Sequence, residues 1–424
     1  MTEPLPAGPD ERAGREQAAR TLGLVPSLDG LRGVAIIFIC VYHLDPFIHS
    51  WTKLVPGLSI GVDIFFVLSG FLITAILLRE HDMSGRIRLL PFYEGRVLRL
   101  FPALFAMVAV EFVWSLFLHY PMGYELKAVA SAVTYVSNWG FAPWHVGLLQ
   151  EAKYPVGMGQ LWSLAVEEQF YLFWPLVLIA LLAVGGRLRL VPIGAVVVAI
   201  VVVSVRRAEV FLGMSSAEFL SGGWSVLYSR TDYRVDDLLW GALLAMLWVR
   251  GWFPHRRALI SVGGWLGAAA LIAVALKGLI GDGWMYVWGM PVVAVGAAAV
   301  VLACVESGWA PRRLLEARWL CAVGVVSYGI YVWHLLAYAM VTRVGGTWPA
   351  GFQLAAALGL TAVMVLASWY LVEKPFLRIK DRLRHRQGSP PSTRAASSTA
   401  PDPPTDEVDP EVARLFDPPG IADA

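Results

Sequence analysis

Ten times between residues 33 and 372 the chain runs through close to twenty almost wholly apolar residues, at about 33–50, 59–78, 98–119, 161–184, 188–205, 233–249, 258–277, 284–304, 319–341 and 350–372. A helix of that length matches the ~30 Å hydrocarbon core of a bilayer. Lipid offers no hydrogen-bond partner to a backbone that is neither helical nor in a closed barrel. The expected fold class is therefore an all-α polytopic membrane protein with about ten transmembrane helices. Composition agrees, with 57% hydrophobic and 16% charged residues, against about 45–50% and about 25% in soluble domains. A formal net charge of +2 offers no basic footprint for nucleic acid. Cys40, Cys304 and Cys321 lie in apolar runs without a CxxC pair or a ligand-spaced His, so neither a disulfide framework nor a metal site is expected.

An eleventh apolar stretch, 128–141, is short and carries Ser131, Thr134, Ser137 and Asn138. Whether it crosses decides the topology, because Lys and Arg of short loops gather on the cytoplasmic side. With a cytoplasmic N-terminus and no crossing at 128–141, about three-quarters of the 34 Lys and Arg side with the cytoplasm. If that stretch crossed, the split would be nearly even. We therefore expect a re-entrant or interfacial helix there and both termini cytoplasmic, in a plasma or inner membrane. Residues 1–23, with Pro4, Pro6 and Pro9 and no apolar signal-peptide core, are expected to be a disordered arm. Residues 24–380 form the membrane domain, and 381–424 a disordered tail, Pro-rich and then acidic. The basic run 374–386 is suited to anionic lipid.

Ionisable groups at membrane depth are costly and mark functional paths. Arg32 and His43 lie eleven residues apart on the first span, which is about three turns and a rise of about 16 Å, so they share a face. Asp63 opens the second span, followed by Ser69 and Gly70, small enough for close helix packing. Arg96 and Arg99 share a helical face and can fork onto phosphate oxygens. Glu167 and Glu168 stand side by side two turns into a span, ahead of Tyr171, so that one can face a cavity and the other a neighbouring helix. Asp232, Arg234, Asp236 and Asp237 crowd the start of the sixth span; Ser327-Tyr328-Gly-Ile-Tyr331-Val-Trp333-His334 lies in the ninth; Glu373-Lys374 closes the tenth. By depth, Arg32, Arg96, Arg99, Glu373 and Lys374 suit a polyanionic ligand at the cytoplasmic face. His43, Asp63, Glu167, Glu168, Asp236, Asp237 and His334 suit a polyhydroxylated one at mid-depth and beyond.

Leu28-Asp29-Gly30-Leu31-Arg32-Gly33, the Arg32-to-His43 spacing, 65–74, Arg96-x-x-Arg99-x-x-Pro102, 161–175, 327–334 and Glu373-Lys374-Pro375-Phe376 occur in one order. Together they resemble the acyltransferase-3 family of integral membrane O-acyltransferases. The resemblance implies a ten-helix domain that moves an acyl group, commonly acetyl, from cytoplasmic acyl-CoA to a hydroxyl. The acceptor would be a cell-envelope saccharide, a lipid-linked glycan or a secondary metabolite such as a macrolide. It maps the family's arginine and histidine onto Arg32 and His43, its arginine pair onto Arg96 and Arg99, and its glutamate onto Glu373. Some relatives add an extracytoplasmic hydrolase-like domain, which we do not expect here. On this reading His43, with Arg32, Glu167 and Glu168, is catalytic, His43 serving as general base or transient acyl carrier. Arg96, Arg99 and Glu373 bind acyl-CoA, a substrate rather than a resident cofactor, and Asp63, Tyr171, Asp236 and His334 line an acceptor cavity. A rival reading is a proton-coupled transporter or flippase of a lipid-linked sugar, which predicts an internal repeat of the motifs that the sequence does not show.

Overall fold

The computed structural model describes residues 25–139, 157–185, 190–253, 257–306 and 308–386. The N-terminal arm and the tail from Gly388 lie outside the described residues. Among the described residues there is no strand. The helices that matter below are α1 (Pro26–His43), α2 (Asp45–Thr52), α3 (Gly61–Ser84), α4 (Leu89–Phe117), α5 (Met122–Val133), α6 (Leu161–Val184), α7 (Val191–Gly213), α8 (Trp224–Ser229) and α9 (Thr231–Val249). They continue with α10 (Arg257–Lys277), α11 (Met290–Val305), α12 (Arg312–Leu315), α13 (Arg318–Val325), α14 (Ser327–Val344), α15 (Ala350–Ser368) and α16 (Lys374–Arg386).

Six of these segments are long and apolar enough to cross a membrane, and α13 with α14, bent by 71° at their break, makes a seventh if the pair is one span. The expectation of ten is not reached on length and composition. The three other expected spans fall on α1, α7 and α9, which carry Asp29 and Arg32, Arg206 and Arg207, and Arg234, Asp236 and Asp237 respectively. Helix α5 starts at Met122, ahead of the expected 128, and ends at Val133. Its 12 residues rise about 18 Å, well short of a bilayer core. Tyr135 then takes a positive φ of 53°, which turns the chain out of the helix. At the other end, α16 carries the helix past residue 380 to Arg386.

Where lipid is as apolar as leucine, helices are held by close contact rather than by burial alone. Helices α3 and α9 show this. A Cβ built on Gly70 would stand 1.9 Å from the Leu238 carbonyl oxygen, and one on Gly241 would stand 2.0 Å from that of Val67. Each glycine admits the partner's backbone. The Leu28–Gly33 motif has the same cause: a Cβ on Gly30 would meet the Leu315 oxygen at 1.7 Å, and one on Gly324 the Asp29 oxygen at 1.8 Å. These contacts pin the start of α1, and with it Arg32, against α12 and α13. Gly70→Ala is expected to cost about 1–3 kcal/mol by forcing two backbones apart. Gly359→Ala, where nothing lies within 4 Å, should leave stability unchanged or raised. Thermal unfolding in detergent compares the two; equal Tm values would refute the close-approach account.

Candidate active site

Helix α1 carries Arg32 near its start and His43 as its last residue, and each lines a different cavity. The first cavity, about 930 Å³, is walled by α1, α3, α4, α6 and α14. Its polar lining is Arg32, Ser69, Arg96, Arg99, Glu167, Glu168 and Tyr171, with Ser163, Tyr328 and Tyr331 completing it. Arg96 and Arg99 reach one cavity because they stand one turn apart on α4. The Arg96 guanidinium lies over the Tyr171 ring, 4.3 Å from its centroid. Ser69 and Tyr171 both donate to Glu167 Oε1, which ties α3 to α6. The ion pairs among the described residues join other side chains, and none of them includes Arg32, Arg96 or Arg99. Arg32 Nε is buried without a hydrogen-bond partner. Three guanidiniums converge there without a direct ion pair, against the two carboxyls of Glu167 and Glu168 in the same lining, and the excess of arginine is a setting for an anion.

The second cavity, about 370 Å³, lies at the other end of α1. Tyr42, His43, Ser59, Gln160, Trp162 and Tyr228 line it, and it shares Val62 and Tyr331 with the first cavity. The two spaces are thus separated by a wall that includes one aromatic side chain. Tyr331 is held in that wall by Ser163 and by donating to the Gln160 carbonyl at 2.9 Å. The Gln160 amide donates to Val332 O at 2.9 Å. His43 Nδ1 lies 2.9 Å from Ile39 O and 3.2 Å from His334 Nε2.

Both glutamates line the arginine cavity, and Glu167 also meets the neighbouring helix α3 through Ser69. The four residues expected around an acceptor do not come together. Tyr171 lies on the arginine side. His334 is fully buried and lines neither of these two cavities, meeting His43 instead. Asp63 pairs with Arg234 at 2.8 Å, Asp237 with Arg234 at 3.2 Å, and Asp236 with Arg207 at 2.8 Å, all almost completely buried. This five-membered ion cluster joins α3, α7 and α9. The Arg234 guanidinium also packs on the rings of Tyr228 and Trp162, at 5.0 Å and 5.9 Å, so the cluster backs the histidine cavity. Glu373 is buried in a π-helical turn, Trp369–Glu373, accepts from Ser368 Oγ at 2.9 Å and does not line the arginine cavity. Ser69 splits from Gly70 in role: the glycine packs helices while the serine faces the cavity. Sequence reasoning missed Arg207, Ser163, Tyr42 and Tyr228. Three carboxylates near one Arg234 are the signal that would have called for a second arginine.

The arrangement offers an anion cradle, a histidine in a small cavity some turns away along the same helix, and hydroxyls between the two. That set suits transfer of a group from a phosphate-bearing donor to a hydroxyl acceptor. A family model described as an acyltransferase domain matches residues 25–373. Peptidoglycan O-acetyltransferase OatA of Listeria monocytogenes is 32% identical over 368 residues, covering 83% of this chain and 55% of the relative. O-acetyltransferase OatA of Staphylococcus aureus is 31% identical over 364 residues, covering 83% of this chain and 57% of the relative. The chain therefore spans a little over half the length of the curated relatives it matches. No solved structure matches it.

Proposed function

The chain belongs to the acyltransferase-3 family, and from that membership we propose that it is a membrane O-acetyltransferase using acetyl-CoA as donor. The acceptor in this reading is a hydroxyl of peptidoglycan or another envelope saccharide, in line with the names of its relatives. One observation carries the donor assignment: three arginines that form no direct ion pair among the described residues converge on a single cavity. Coenzyme A presents several phosphates to such a cradle. It joins them to its thioester through a long slender arm, as the separation of Arg32 from His43 requires. The concentration of Lys and Arg supports a cytoplasmic position for this cavity. Counting α1, α7 and α9 with the six segments and the bent pair gives ten crossings.

In this mechanism the acceptor hydroxyl enters the histidine cavity and gives its proton to His43 Nε2. Its oxygen attacks the thioester carbonyl, with the hydroxyls of Ser163 and Tyr331 at the shared wall donating to the developing oxyanion. The C–S bond breaks, the proton passes from His43 to the departing thiolate, and ester and free CoA result. Family membership favours this chemistry over transport. Purified protein in nanodiscs, given labelled acetyl-CoA and a peptidoglycan fragment, should release CoA and yield a labelled ester. Saccharide flux without acetyl-CoA consumption would overturn the reading. Arg99→Gln removes one charge-assisted contact to phosphate, worth about 1.5–3 kcal/mol. Its KM for acetyl-CoA should rise about 10–100-fold with kcat little changed. Asp29 and Glu373 lie near Arg99 without a direct ion pair to it, so Tm should fall only slightly.

A further inference from the structure

We propose that His334 is the positioning residue that fixes which ring nitrogen of His43 is reactive. The inference rests on His43 being the group that meets the acceptor. His334 Nδ1 lies 2.8 Å from Tyr331 O and 3.1 Å from Ile330 O. Both partners are carbonyls, which only accept, so this nitrogen carries the hydrogen. In a neutral imidazole the other nitrogen is then an acceptor. His334 Nε2 faces His43 Nδ1 at 3.2 Å, and must accept from it. His43 Nδ1 also sits 2.9 Å from Ile39 O, a second acceptor demanding a hydrogen at the same atom. His43 Nε2 is left with the free lone pair, in a residue that lines the histidine cavity.

Three backbone carbonyls on two helices thus set both tautomers in series. Helix α1 supplies Ile39 O and α14 supplies Ile330 O and Tyr331 O. When the acceptor hydroxyl gives its proton to His43 Nε2, the ring becomes an imidazolium. Its Nδ1–H still donates to His334 Nε2, so the new cation keeps a partner in a site with no water-exposed surface around His334, which is 0% exposed. A serine hydrolase uses a carboxylate for this orienting task. Here a second imidazole fills it without bringing a negative charge to mid-bilayer, where charge is costly.

Two substitutions separate orientation from packing. His334→Leu keeps bulk but removes the acceptor. His334→Gln keeps an oxygen that can accept from His43 Nδ1–H and an amide that can donate to the carbonyls. The leucine variant should lose about 100-fold in kcat with KM for acetyl-CoA and Tm unchanged, and the glutamine variant should recover to within about tenfold of the parent. Equal activity in the two variants, or a loss shared between kcat, KM and Tm, would refute the positioning role. A second measurement does not depend on turnover. Nitrogen-15 spectra of histidine-labelled protein in liposomes, assigned by difference from His43→Ala, should show His43 protonated at Nδ1 and bare at Nε2. A protonated Nε2 in the resting protein overturns the proposal. If the parent turns over no acetyl-CoA, the acyltransferase reading falls while this spectrum still decides the tautomer.

Discussion

His43→Ala should lower acyl transfer by about 10³-fold or more while acetyl-CoA binding survives. A positioned general base contributes about 10²–10⁴-fold. His43 is the histidine on the cavity wall, its Nδ1 being engaged by Ile39 O and His334. The arginine cavity is lined by other residues and stays intact, so KM for the donor should move little. The substitution also leaves a ring-sized space beside an existing cavity. Added imidazole should therefore restore part of the rate, and alanine at the neighbouring Tyr42 should show no such rescue. Full activity of the alanine variant in membranes that hold normal amounts of protein would dismiss His43 from the chemistry.

The largest effect on folding is expected from Arg234→Met. Arg234 holds Asp63 and Asp237 at 2.8 Å and 3.2 Å, with all three side chains all but inaccessible. Removing one partner from a buried ionic group strands the others and costs about 3–5 kcal/mol. Methionine replaces the stem but cannot neutralise two carboxylates. The variant should be recovered in low yield, with a Tm well below that of the parent. Adding Asp63→Asn and Asp237→Asn to it should regain most of the loss, because neutral amides no longer need the guanidinium. A triple variant no more stable than the single one would show that Arg234 acts through its packing on Tyr228 and Trp162 instead.

Charges told the fold apart from other helical bundles, yet they told less about which charge meets which. Arg32, Arg96 and Arg99 could be grouped from sequence because helical periodicity and sidedness both act along the chain. The structure brings them to one cavity. Asp63 and Asp236 read as cavity groups because a sequence gives depth but not azimuth. Their partners, Arg234 for Asp63 and Arg207 for Asp236, come from other helices, and only packing reveals that the cluster is internally compensated. Glu167 and Glu168 both reach the cavity from neighbouring positions of α6, and Glu167 also meets α3, a contact that helical spacing allows but does not assign to a partner. The contact between His43 and His334 was beyond reach for the same reason: 291 residues separate them, and nothing local in either span specifies the other. Only six or seven of the ten expected spans are long and apolar enough to cross, because α1, α7 and α9 carry charged residues along their length.

The ion cluster also sets a timetable for synthesis. Asp63 is made 171 residues before Arg234, an interval of about 10–30 s at ~5–20 residues per second. For that time α3 must sit in or beside the bilayer with a carboxyl that has no guanidinium to meet. Its place in the first turn of α3 keeps the group near a helix end, where the expense of waiting is least. Arg207 waits only 29 residues for Asp236. Until α9 leaves the ribosome, then, the helices behind the histidine cavity have reason to stay loosely associated, and its arrival closes α3, α7 and α9 in a single step.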